Sequence, residues 1–167
     1  MLVLCLVIGG GCKKPASTCS FSGSDAGTYT QTDVNGAVIG TADALDWTND
    51  NNWNTCENNL FSATDSFSYQ DLTVTSVGGV MAFPNPFIRN LDITANVNGK
   101  TIVKSVIVDE NFITVSQFAN SMDSGKHVWQ YQFTQIDTTK KYRMYYRFYG
   151  LNKSVVYQGH GDLRVTN

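Results

Sequence analysis

Apolar and polar positions alternate through most of the chain, and the period is two. Leu91, Ile93, Ala95 and Val97 alternate with Asp92, Thr94 and Asn96, which predicts a strand with one buried face. Asn98-Gly99 then precedes a second run, Thr101 to Val108. Further strands are predicted over His127–Phe133, Tyr142–Tyr149, Val155–Tyr157 and Asp162–Val165. A spacing of about ten residues between strands is that of a sandwich. Trp129, Tyr131 and Phe133 share one strand face, and Tyr142, Met144, Tyr146 and Phe148 share another. Both rows read as core.

The first half is less regular. Thr28–Val34, Asn35-Gly36 and Ala37–Ile39 predict a hairpin closed by a type I′ turn. A polar loop from Asp43 then runs into a short helix. Asp50 is its expected N-cap, and Trp53, Cys56 and Leu60 recur at helical spacing. Phe67 and Tyr69 alternate with serines, and Leu72–Val77 is a candidate strand before Gly78-Gly79. Phe83-Pro84-Asn85-Pro86-Phe87 cannot lie in a central strand, so it reads as an edge approach or a linker.

Composition narrows the function. The 167 residues, 42% of them hydrophobic, suffice for one core, and a formal net charge of -2 offers no basic face for nucleic acid. No nucleic-acid partner is expected. The start of the chain, MLVLCLVIGGG, is apolar, too short to span a bilayer, and ends directly before Cys12. That order is what a signal peptidase reads, with the Cys12 thiol as lipid acceptor. Residues 1–11 are thus expected to form a signal peptide and residues 12–24 a lipid-anchored tether. Residues 25–167 would be the sandwich, made of a part over 25–82 and an immunoglobulin-like part over 83–167. No Lys or Arg precedes the apolar run, as a start further upstream would leave it. The alternative is a structural N-terminus in which Leu2 to Ile8 pack into the core.

Of four cysteines, Cys5 would leave with the signal and Cys12 would carry lipid. Cys19 and Cys56 remain to pair in an oxidising compartment, closing a loop worth roughly 3 to 4 kcal/mol. The alternative is two buried thiols.

Chemistry is sparse. Asp46-Trp47-Thr48-Asn49-Asp50-Asn51-Asn52 offers oxygens at alternate positions, as calcium requires, but lacks the glycine and distal glutamate of an EF-hand loop. It reads as turn and capping chemistry, and no metal or cofactor is expected. His160, in Gly159-His160-Gly161-Asp162, reads as a turn histidine, and Asp109-Glu110 reads as a turn. Neither forms a catalytic pair. On the back of the Tyr142–Tyr149 strand, Arg143, Tyr145, Arg147 and Tyr149 form a stripe of cations and aromatics suited to partner binding or sugar stacking. The other option is that the second sheet or the N-terminal segment covers it.

Two resemblances follow from these motifs. Cys12-Lys13-Lys14 after a short apolar segment resembles outer-membrane lipoproteins of the Bacteroidota type. Phe83–Phe87, together with Ser124-Gly125-Lys126-His127-Val128-Trp129 and Tyr142–Tyr146, resembles the immunoglobulin-like domains of the flagellar hook-capping and type IX secretion sorting families. The chain finishes Gly161–Asn167 without the lysine-bearing strand of sorting domains, so the second resemblance implies a sandwich rather than a sorting signal. The expectation is an all-β, immunoglobulin-like β-sandwich with a short helix in its N-terminal half. As a function, we expect a non-catalytic, lipid-anchored accessory or structural subunit docking onto outer-membrane or cell-surface proteins, with a glycan-binding lipoprotein as the alternative.

Overall fold

Seven strands account for the alternation. The structure, a computed structural model, describes Cys19, Phe21 and residues 28–167. The strands are β1 (Ser76–Phe83), β2 (Asn90–Asn98), β3 (Thr101–Asp109), β4 (Thr114–Met122), β5 (Gly125–Gln132), β6 (Tyr142–Tyr149) and β7 (Val155–Leu163), preceded by one short helix, α1 (Thr55–Asn59). They form two antiparallel sheets, ordered β1-β2-β5 and β4-β3-β6-β7. This is an immunoglobulin-like β-sandwich in which the fourth strand pairs with β3 rather than joining the three-stranded sheet.

The core lies between the sheets. Leu91, Ile93, Ala95 and Val97 meet Val103, Ile107, Met144, Tyr146 and Phe148, with Trp129, Tyr131 and Phe133 alongside. One polar pair spans the core, as a low-dielectric interior favours. Ser105 and Tyr131 share a hydrogen bond of 2.6 Å across the layers.

Several elements differ from the sequence expectation. The first strand of the sheets is β1, which pairs with β2 from Ser76 to Phe83, a segment the sequence pattern ended at Val77. Leu72–Thr75 is not a strand, although Leu72 and Val74 are buried and Thr75 N–H donates to the Asn98 carbonyl. Phe67 and Tyr69 likewise lie outside any strand. Strand β4 had no signal in the alternation, since it buries little of its own surface.

Val155–Leu163 is one strand, not two. Its interruption in the sequence is Gly159 and Gly161, which face inward where the loop around Trp47 lies against the strand. A Cβ at Gly161 would drive into the Trp47 indole, and one at Gly159 would overlap the Thr48 carbonyl. The loop is also held by Trp47 N–H donating to His160 O at 2.7 Å and Asp50 N–H donating to Gln158 O at 2.8 Å. Trp47 itself stands at φ 60 and stacks on Tyr146. Burial of the indole against the core offsets that backbone strain.

The Asn35-Gly36 turn is tight, but Asn35 is not at positive φ; only Gly36 is, at 81. Gly36 N–H donates to Asp33 O, and Asp33 Oδ1 accepts from Asn35 N–H and Ala37 N–H. The result is a type I turn with a glycine bulge, selected by the Asp33 side chain. The Phe83–Phe87 segment links β1 to β2 through two cis X-Pro bonds, and Asn85 between them is fully buried. Its amide donates to the Thr30 and Asp162 carbonyls, and its Oδ1 accepts from Arg164 N–H. One side chain thereby joins the N-terminal hairpin, the inter-strand link and the end of β7.

Gly161→Ala is expected to destabilise the fold by roughly 1–3 kcal/mol through overpacking against Trp47. Gly78→Ala, where no atom lies within 4 Å of an added Cβ, should stay within about 0.5 kcal/mol of the parent. Urea unfolding of the two variants checks the pair.

Candidate functional site

The four-stranded sheet carries the chain's densest polar chemistry on its outer face, the side turned away from the core. In register, Arg143, Tyr145, Arg147 and Tyr149 on β6 stand beside Val108, Val106, Lys104 and Ile102 on β3. They also stand beside Asp162, His160, Gln158 and Val155 on β7. This stripe is not an open surface. Tyr145 is 0% exposed, Arg143 2% and Tyr149 3%, with Arg147 half-buried.

What covers it is the segment between Trp53 and Val74. Trp53, Phe61 and Tyr145 pack with Val106 and Val108, while Tyr69, Leu72 and Tyr149 pack with Ile102. Helix α1 sits over β6. Its N-cap is Asn54 rather than Asp50, and a capping box joins Asn54 to Glu57. Asp50 instead accepts from Asn52 N–H in a local turn. Glu57 is fully buried and accepts from Tyr145 Oη at 3.0 Å. The guanidinium of Arg147 lies 4.5 Å from the Trp53 ring and 4.9 Å from that of Phe61, bonding Gln158 Oε1 at 2.9 Å and the Asn58 amide oxygen. Each member of the stripe is thus occupied within the chain, which corrects its reading as a partner-binding or sugar-stacking face.

Cys19 and Cys56 are bridged, with Cα atoms 5.9 Å apart, so the disulfide fastens the chain before residue 28 to α1. Phe21 follows, against Phe112 and under the Arg143 guanidinium. Residues 1–11 and Cys12 lie outside the described residues, as does most of 12–24.

Beside this cover a cleft of about 350 Å³ opens between the Asp43–Asn52 loop and the β6–β7 pair. Its walls hold Asp43, Asp46, Asp50, Arg143, His160 and Asp162. The charges are largely committed. Arg143 grips Asp162 through two bonds, one from Nη2 at 2.8 Å. Asp46 accepts from the backbone N–H of Thr30 and of Asp162, each at 2.8 Å. Burial pushes the Asp46 carboxyl up to about 6; those two N–H donors oppose the rise, and repulsion from Asp162 and Asp43 adds to it.

His160 is a buried strand residue, not a turn residue, at 7% exposure. Its Nδ1 stands 3.5 Å from Asp50 Oδ2, and burial followed by the nearby Arg143 lowers its pKa from 6.5. The cleft's one hydroxyl among the described residues is Thr48, whose Oγ1 donates to Leu45 O. That hydroxyl is committed to the loop backbone rather than to the imidazole. Among the described residues no group of three His, Cys, Asp or Glu side chains is placed to hold a metal ion. Asp109 does lie at a strand end leading into a turn, where it accepts from Asn111 and Ile113 N–H.

The class these features define is an all-β, immunoglobulin-like sandwich with a covered outer sheet face. No protein-family model matches the sequence. A search of curated proteins gives no significant match. Among solved structures, the chain is similar to a glycosyl hydrolase family 2 member from Bacteroides cellulosilyticus at 16% identity and TM-score 0.38, covering 58% of this chain and 16% of that one. A beta-glucuronidase from glycoside hydrolase family 2 matches at 21% identity and TM-score 0.32, covering 56% and 11%. An endonuclease/exonuclease/phosphatase from Beutenbergia cavernae matches at 11% and 0.35, covering 50% and 23%. The chain spans less than a quarter of each of these relatives, and likenesses this weak carry no functional argument.

Two measurements bear on this region. Reducing the Cys19–Cys56 bridge, which spans 37 residues, is expected to lower stability by about 4 kcal/mol on the chain-entropy model; denaturant unfolding with and without reductant reads it. The second concerns pH. A folded pKa for Asp46 of about 6, against 3.8 unfolded, means that the folded state holds a proton the unfolded state has released. The contribution of Asp46 to stability should thus fall by about 3 kcal/mol as pH rises from 3.8 to 6, then stay level. Comparing the parent with Asp46→Asn across that window isolates it.

Proposed function

We propose that this protein is a non-catalytic, lipid-anchored β-sandwich of the cell envelope, held at the outer membrane through Cys12 and serving as an accessory subunit of a larger outer-membrane or cell-surface protein assembly. The observation that carries the envelope half is the Cys19–Cys56 bridge. Disulfides persist where the compartment is oxidising, and this one consumes both cysteines that the apolar start and Cys12 leave over. The short apolar run ending in glycines before Cys12 supports the same reading. None of the described helices is long and apolar enough to cross a membrane.

The accessory half rests on surface rather than chemistry. The cleft's charged groups are largely paired within the chain, Arg143 with Asp162 and Asp46 with the backbone N–H of Thr30 and Asp162, so the molecule's offer to another protein is its exterior. The glycan alternative required Tyr145 and Tyr149 to be open, and both are covered.

Intact-mass analysis of protein purified from native membranes tests the anchor. The expected product lacks residues 1–11, carries acyl chains on Cys12 and retains the bridge, and Cys12→Ser should move the protein to the soluble fraction. An unprocessed chain with free thiols would end the proposal. In mild detergent the parent should co-purify with an outer-membrane protein at fixed stoichiometry; isolation as a lone monomer would sink the accessory role.

A further inference from the structure

The strands leave the sandwich at two ends. At the first lie the Phe83–Phe87 link, the β3–β4 turn, the loop between β5 and β6 and the finish of β7, since Asp109 pairs with Tyr142, Tyr142 with Leu163, and Phe87 N–H donates to Arg164 O. The N-terminal hairpin belongs to the same end, with Thr32 bridged to Asn85 and Gly36 against the Phe83 ring. The second end carries the β2–β3, β4–β5 and β6–β7 turns.

Exposed aliphatic side chains are divided unequally between the two. Val34, Ile39, Ile88 and Ile113 are the four most exposed large hydrophobics among the described residues, between 57% and 72%, and all four lie at the first end. Leu151 and Val155, at the second, are less exposed, and that end also carries Lys153 and the Lys100–Asp71 ion pair at 3.5 Å. A single outward-facing aliphatic is ordinary, but four on the loops of one end form a pattern. Arg89, Lys141 and Arg164 stand exposed at the first end. Long basic side chains can lay their stems along apolar surface and keep the charge in a polar layer. The carboxylates there, Asp33, Glu110 and Asp137, accept from the backbone N–H of Ala37, Lys141 and Thr139.

The length of the tether limits what this end can face. Cys12 precedes Cys19 by seven residues, which reach at most about 25 Å when fully extended. Cys19 is bridged to Cys56 on α1, the helix that Tyr145 meets through Glu57, above the middle of β6. Phe21, two residues on, is already beside Phe112 and Arg143, near the first end. A lipid on Cys12 would therefore hold the sandwich close against the bilayer, and the first end is the one that presents apolar loops to it.

We propose that this end of the sandwich rests on the lipid surface, with Val34, Ile39, Ile88 and Ile113 entering the boundary between headgroups and acyl chains. The contact adds to the hold of the acyl chains on Cys12, since membrane affinity scales with the apolar area buried. It also sets the orientation, turning the β2–β3, β4–β5 and β6–β7 turns away from the membrane. This inference deepens the lipid-anchored reading and rests on it.

The test places the lipidated full chain in phosphatidylcholine vesicles brominated in the upper acyl chain, where bromine quenches tryptophan emission on contact. Ile39→Trp and Ile113→Trp each add an indole at the first end, and Leu151→Trp adds one at the second. The parent supplies the background of Trp47 and Trp53, which are buried, as is Trp129. The added emission of the first two variants should fall about twofold or more relative to unbrominated vesicles, as expected for side chains at the acyl boundary. That of Leu151→Trp should be unaffected. Equal quenching of Leu151→Trp would overturn the proposal, as would no quenching of any variant in vesicles to which the protein is bound; the latter would leave this end to a protein partner. An unlipidated Cys12 in the intact-mass analysis would instead remove the anchor reading itself.

Discussion

Strand β6 has large side chains on both faces, and that constraint organises the molecule. Met144, Tyr146 and Phe148 face the sandwich core, as any inner strand would. Arg143, Tyr145 and Tyr149 on the reverse are just as buried. A two-layer sandwich would leave four aromatic or cationic side chains against water on a flat sheet, so a third layer is required. The segment Trp53–Val74 is that layer, and the disulfide to Cys19 closes it down over α1. Aromatic burial provides the bulk of the attraction, while the polar tips, Tyr145 on Glu57 and Arg147 on Gln158, fix the register of the cover.

Polar groups are buried here at some expense, and their arrangement shows how it is met. Arg143 and Asp162 satisfy one another in two parallel bonds, and the backbone of Asp162 in turn serves Asp46 and Asn85. Breaking one partner of such a set strands the others in a medium that solvates them poorly. Through Asp46 the cleft also joins the Asp43–Asn52 loop to β7. Further along the same face of the sheet, burial pushes up the Asp65 carboxyl, but the Lys104 ammonium, the Tyr69 hydroxyl and Phe67 N–H outweigh it and hold it at about 2.

The sequence made the core legible and the cover illegible, for physical reasons visible in particular residues. Leu91–Val97 alternates because one face is buried and the other is not. Tyr142–Tyr149 has no such contrast, so its inner row could be read as core, but the fate of Arg143 and Tyr145 depended on a segment far away in the chain. Residues 53–74 bury Trp53, Phe61, Tyr69 and Leu72 without regular period, leaving no signature beyond the α1 spacing. Strand β4 escaped notice because an edge strand with polar residues on both sides does not alternate. Gly159 and Gly161 hid the continuity of β7, since their role is to leave room for Trp47, which no local pattern records. The pairing of Cys19 with Cys56 was open to simple counting.

The fit of Trp47 and Asp46 against β7 also sets an order of events. Asp46 receives its N–H from Asp162, 116 residues further along, and the indole has no seat until Gly161 has been made. A contact of that span closes late, because a long loop must be ordered before it is rewarded. The N-terminal loop and the last strand are thus bound to a common fate during synthesis: the one stays open, its tryptophan exposed, until the ribosome has finished the other.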